Sequence, residues 1–156
     1  MKRFFILLCG SALVSTLGCQ PKVDIDTEKA EVNAILESYV ASIETEDIDL
    51  YGKVMAHDAE MTNFGGFGDP IVGWDALKAV IEGQNEALSE IKIIVSDLAI
   101  HIPKTAEIAW ATNLWTFKAM MGENPVELPI RCTWVLEKRQ NAWVIVHFHK
   151  SMAMEG

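Results

Sequence analysis

Cysteine is scarce, with three in 156 residues. Cys9 and Cys19 both lie in or just after an apolar N-terminal segment, which leaves Cys132 alone in the rest of the chain. No internal disulfide can form there, so stability has to come from a packed core. Positive charge is also in short supply. The chain has 13 Lys and Arg against 22 Asp and Glu, a formal charge of −9. Such a surface repels phosphate backbones, which excludes nucleic acid as an expected partner. No apolar run reaches the roughly 20 residues that a membrane-spanning helix needs. Internal repeats and low-complexity tracts are missing too. The glycines at 65, 66 and 68 lack the Lys-Ser/Thr ending of a phosphate loop and read as a flexible lip. His147 and His149 have a spacing that can hold a metal, but no third ligand accompanies them. No metal site and no cofactor is therefore assigned, and Cys132 shows no activating neighbour.

What is present starts with a leader. Lys2 and Arg3 precede an apolar stretch from Phe4 to Leu17, interrupted by Gly10, Ser11, Ser15 and Thr16. The order Ser15-Thr16-Leu17-Gly18-Cys19 resembles a lipobox, with Thr16 where leucine is usual. The expected organisation is a signal peptide over residues 1–18, a polar tether over 19–26 and one domain over 27–156. Cys19 would carry the lipid, anchoring the protein in the bacterial cell envelope. Gln20 after the cysteine fits an outer membrane facing the periplasm in a two-membrane cell.

Half of all residues are hydrophobic, enough for a core. Val32, Ile35, Leu36, Tyr39, Val40 and Ile43 recur at helical spacing after a cap at Asp26 or Thr27. Ile48, Tyr51, Val54 and Met55 mark a second helix capped by Thr45. Residues 60–64 read as a short strand, and Trp74, Leu77, Val80, Ile81 and Leu88 as a third helix. Residues 90–102, 107–120, 126–138 and 142–152 are long β-type segments separated by turn residues. Three helices followed by a meander predict an α+β fold, cone-shaped, with the helices packed on a curved, mostly antiparallel sheet.

Strict alternation along the last strand puts Val144, Val146, Phe148 and Lys150 toward the helices and Trp143, Ile145, His147 and His149 on the other face. A sheet covered on one side needs only one apolar face. The second, mixed face predicts a homo-oligomer contact through Thr133, Trp143, Ile145, His147 and His149, at least a dimer. Arg131 would share that face.

The residues also resemble a known superfamily, the nuclear transport factor 2-like proteins with their SnoaL-like branch. The likeness is closest to the association (hub) domain of calcium/calmodulin-dependent protein kinase II and its bacterial relatives. Trp143 to Ser151 resembles that family's Trp-x-x-Val-His-Phe-His-Arg-Ser ending. Met61-Thr62-Asn63-Phe64, Tyr51-Gly52-Lys53 and Ile108-Ala109-Trp110 resemble its other segments in the same order. The resemblance implies sheet-to-sheet dimers that assemble further, and a cavity whose tyrosine and arginines hold a small carboxylate. The tyrosine matches Tyr51 and one arginine matches Lys150. The other two arginines fall at Thr112 and Trp134, and a pocket histidine at Leu77. A more apolar site is implied.

The expected ligand site is Tyr51, Asn63, Trp110, Thr112, Trp134 and Lys150, taking a small polar or acidic-ended molecule. No catalytic residue is assigned. An isomerase, dehydratase or cyclase of the SnoaL-like kind would need a carboxylate or histidine inside the cone, and only Asp58 and Asp97 come into question. A hub-like assembly module is the third alternative.

Overall fold

The computed structural model describes residues 23–152. The expected signal peptide, Cys19 and the first half of the expected tether lie outside the described residues. The element order is α1 (Ile25–Glu44), α2 (Ile48–Val54), β1 (Thr62–Asn63), β2 (Ile71–Val72), α3 (Trp74–Ala87), β3 (Ser89–His101), β4 (Ile108–Met121), β5 (Asn124–Arg139) and β6 (Ala142–Ser151). Strands β3-β4-β5-β6 form one antiparallel sheet in sequence order, and β1 and β2 form a small second one. The helices pack on a curved sheet that does not close into a barrel, as expected. Among the described residues no helix is long and apolar enough to cross a membrane.

The helix starts differ from expectation. Asp24, not Asp26 or Thr27, caps α1 by accepting from the Asp26 and Thr27 amides, so the last part of the tether is already helix. Asp47 rather than Thr45 caps α2, accepting from the Leu50 amide. In each case a carboxylate satisfies amides that have no intrahelical partner. Gly73 starts α3 with φ at 81°, and a Cβ there would meet the Ala59 carbonyl oxygen at 2.9 Å. Only glycine fits that approach.

The long strands follow from their sequences. Gln140 and Asn141 both have positive φ, 51° and 64°, and close a two-residue turn between Arg139 and Ala142. Gly122 does the same work between Met121 and Asn124. Pro125 and Pro129 sit in the part of β5 beyond the reach of β6, so their missing N–H groups break no ladder.

Three register shifts alter the face pattern. Two lie in β3, between Ser89 and Lys92 and between Ser96 and Ala99. The third lies in β6, where Val135 pairs with His147 but Leu136 pairs with Ile145, leaving Val146 as the extra residue. A bulge reverses the parity of everything beyond it. Phe148 and Lys150 face the helices as expected. Before the bulge, however, Trp143 and Ile145 also turn inward, 2 % and 0 % exposed, while Val144 and Val146 are only partly buried. Trp143 and Ile145 are therefore core residues, not interface residues. The Trp143 indole donates to Glu28 on α1 at 2.8 Å. Thr133 and His149 are exposed on the outer side, and His147 is partly buried with its Nδ1 against the Thr62 carbonyl.

Candidate functional site

Between α3 and the sheet lies a cavity of about 250 Å³. Its helical wall is Leu77, Val80, Ile81 and Gln84, which share one face of α3. Alternate residues of three strands form the sheet wall: Trp115 and Phe117 of β4, Leu128 and Ile130 of β5, Phe148 and Lys150 of β6. Gly65, Gly66 and Phe67 of the glycine-rich loop line its rim, as a lip would. A larger but more open hollow of about 500 Å³ lies between α1 and the β3 bulge, lined by Glu37, Glu44 and Asp97 among others. The smaller cavity is the better candidate, because it is walled by the hydrophobic core and holds a cation.

That cation is Lys150, the one charged residue among the described lining. Its Nζ donates to the Tyr39 hydroxyl at 2.9 Å. It also lies 4.6 Å from the Phe148 ring centre, 4.8 Å from Trp115, 5.0 Å from Tyr39 and 5.9 Å from Trp134. Four rings around an ammonium supply cation–π attraction but little solvation. Among the described residues no carboxylate pairs with it. Burial pulls its pKa down to about 8, with a small opposing pull from Cys132, its register partner on β5. Burial likewise pushes the Cys132 thiol up to about 12, a poor nucleophile.

The two expected anchors come together through a residue that the sequence reading had placed only on an apolar helix face. Tyr39 stands between them, its hydroxyl 3.4 Å from that of Tyr51 and its ring 4.8 Å from Trp134. Burial raises the pKa of both tyrosines, so both stay protonated at neutral pH. Tyr51 is 0 % exposed and lies behind Tyr39 instead of lining the cavity. Trp134 is buried in the aromatic group around Lys150.

Asn63 has a positioning role. Its Oδ1 accepts from the Phe148 amide at 2.9 Å, while the Phe64 backbone brackets β6 by donating to the Phe148 carbonyl and accepting from the Lys150 amide. This holds Phe148 and Lys150 at the cavity. Trp110 and Thr112 are corrections: both are exposed on the outer face of the sheet, Trp110 46 % and stacked on His101. On β4 the inward residues are Ala109, Ala111, Asn113, Trp115 and Phe117, one register position away. Tyr39 and Trp115 are the site residues that sequence reasoning missed; helical spacing marks Tyr39 only as part of an apolar face.

The carboxylates considered as bases are elsewhere. Asp58 forms a two-bonded pair with Arg139, at 2.8 and 2.6 Å. Asp97 sits in the β3 bulge. Among the described lining of the cavity there is no carboxylate and no histidine. Two donors there are unused: Trp115 Nε1 and Gln84 Nε2 are buried with no hydrogen-bond partner.

Helices on one side of a curved antiparallel sheet, enclosing a cavity, define an α+β class of the cystatin-like kind, the description given to a similar structure from Caulobacter vibrioides. The chain belongs to the SnoaL-like domain family, whose model matches residues 32–155. Among solved structures it is similar to a nuclear transport factor 2-like superfamily protein from Salmonella enterica, at 23 % identity and a TM-score of 0.76 over 85 % of this chain and 95 % of that one. A candidate calcium/calmodulin-dependent protein kinase II association domain from Xanthomonas campestris is 18 % identical, with a TM-score of 0.69 over 81 % of this chain and 88 % of the other. A candidate dehydratase of the nuclear transport factor 2-like family from Streptomyces avermitilis is 12 % identical, with a TM-score of 0.74 over 83 % of this chain and 99 % of that one. At such identities the likeness is one of fold. No curated protein matches the sequence.

Proposed function

We propose that this chain is a lipid-anchored binding module of the bacterial cell envelope whose interior cavity takes a small molecule with an apolar body and an acidic end. The observation that carries the reading is Lys150, a partly buried cation with no carboxylate partner among the described residues, set in the wall of a largely apolar cavity. A desolvated charge is costly until an opposite charge meets it. A ligand carboxylate would supply that charge and give Trp115 Nε1 and Gln84 Nε2 an acceptor. General-base chemistry has less support, since the described lining offers no carboxylate or histidine.

Two further parts belong to the proposal. Lipid attachment at Cys19 rests on the charged start, the short apolar run and the small residue before the cysteine. Self-association rests on the outer face of the sheet, where Ile108, Trp110 and Leu114 are exposed along β4 beside Thr133. An apolar sheet face of this kind suits a second copy better than water.

The test is calorimetry of the full chain with benzoate and hexanoate. Lys150→Met should weaken both roughly ten- to a hundredfold, the loss of one charge-assisted hydrogen bond. Equal binding by the variant, or none by the wild type, would refute the reading.

A further inference from the structure

The cavity holds Lys150 in a way that suits a second chemistry, one that uses the neutral amine. An ammonium has three N–H donors. The protein accepts one, at Tyr39, among the described residues. The titratable groups that face Nζ are Tyr39 on α1, Tyr51 behind it on α2, and Cys132 on β5, and burial keeps all three in their neutral forms. Apart from the Tyr39 hydroxyl and the aromatic rings, nothing described on those elements holds the proton on Lys150. A lysine desolvated in an apolar pocket is the usual way to obtain an amine nucleophile near neutral pH.

Resting on the reading of this cavity as a ligand site, we infer that Lys150 is a nucleophilic amine that condenses with an aldehyde or ketone bearing an apolar body. The amine nitrogen adds to the carbonyl carbon, and the carbonyl oxygen becomes a hydroxyl. That hydroxyl leaves as water while the nitrogen loses its proton, giving an imine. Amine and carbonyl go in, imine and water come out, and no oxidant or reductant is needed. Tyr39, 2.9 Å from Nζ, is placed to take the proton from nitrogen and deliver one to the departing oxygen, ending unchanged. Tyr51, 3.4 Å further along, extends that hydrogen-bond path. The apolar walls would protect the imine by limiting water.

The experiment treats the full chain with benzaldehyde and cyanoborohydride at pH 8, then maps the modified lysines by mass spectrometry. With its pKa at about 8, half of Lys150 is amine at that pH, against roughly 0.4 % of an ordinary exposed lysine. Lys150 should be benzylated roughly ten times faster than the exposed Lys29 and Lys53, and excess benzoate should protect it. Lys150→Arg, which keeps the charge and loses the nucleophile, should remove the fast site. The map of the wild-type chain decides the matter even if that variant fails to fold. If Lys150 reacts no faster than Lys29 and Lys53 while benzoate still binds, the imine inference falls and the binding reading stands. If benzoate also fails to bind, both fall.

Discussion

The two ends of the β5–β6 hairpin hold their lysines in opposite ways. At the turn end Lys138 meets Glu28 at 2.6 Å and Glu31 at 3.4 Å, and Glu28 also accepts from Trp143. Its hydrogen bonds to Glu28 raise its pKa. At the far end Lys150 meets a tyrosine hydroxyl and four rings, and burial lowers its pKa to about 8. The first lysine is a staple between helix and sheet, complete in itself. The second has no anionic partner among the described residues, which is what the proposed ligand would supply. A cation's partners, more than its burial, tell structure from site.

The largest effect expected concerns which face of β6 is core. Ile145→Ala should cost about 3 kcal/mol of stability in a denaturant titration, as for other buried aliphatic truncations, whereas Val144→Ala should cost under about 1 kcal/mol. Equal small losses would return Ile145 to the surface. Next come the two lysines, whose replacements should move stability in opposite directions. Lys150→Met at pH 7 removes a partly buried ammonium with no carboxylate partner among the described residues and should stabilise the ligand-free protein by roughly 1–3 kcal/mol. Lys138→Met strands Glu28 and should cost roughly 1–2 kcal/mol. A thermal melt of each reads the sign.

The pH dependence follows from the same contrast. Lys150 has a folded pKa below its usual 10.5, so between about 8 and 10.5 the unfolded chain binds more protons than the folded one. Stability should rise with pH across that window, while carboxylate affinity falls. Glu28 is held below its usual 4.5, mainly by Lys138. Its stabilisation is full above that value and fades as the pH falls through it. The smallest effect belongs to the exposed Arg139 pair: Asp58→Asn should cost under about 1 kcal/mol and vanish in high salt.

Much of this arrangement was legible in the sequence. Alternation and turn residues located the long strands closely, since Gly122 and Gln140-Asn141 mark their own turns. Lys150, Phe148 and Trp134 were rightly turned inward. The bulge at Val146 was not legible, because an extra residue in a ladder leaves no local mark in composition. Counting through it sent Trp143 and Ile145 to the wrong face. Thr112 and Trp110 fall on the outer face because Ala109, Ala111 and Asn113 take the inward positions of β4. Tyr39 was visible as a helix-face residue, but its meeting with Lys150 depends on how α1 crosses the sheet, and no local pattern states that. The caps at Asp24 and Asp47 were missed for a simpler reason: each stands near other residues that could cap equally well.

The proposed role of Lys150 is that of a partly buried cation that meets an acidic ligand. Its most direct test is an NMR titration of the Lys150 side chain with and without benzoate. The account predicts a midpoint near 8 in the free protein and a clear upward shift when benzoate binds. A midpoint at the ordinary lysine value, unmoved by benzoate, would contradict it.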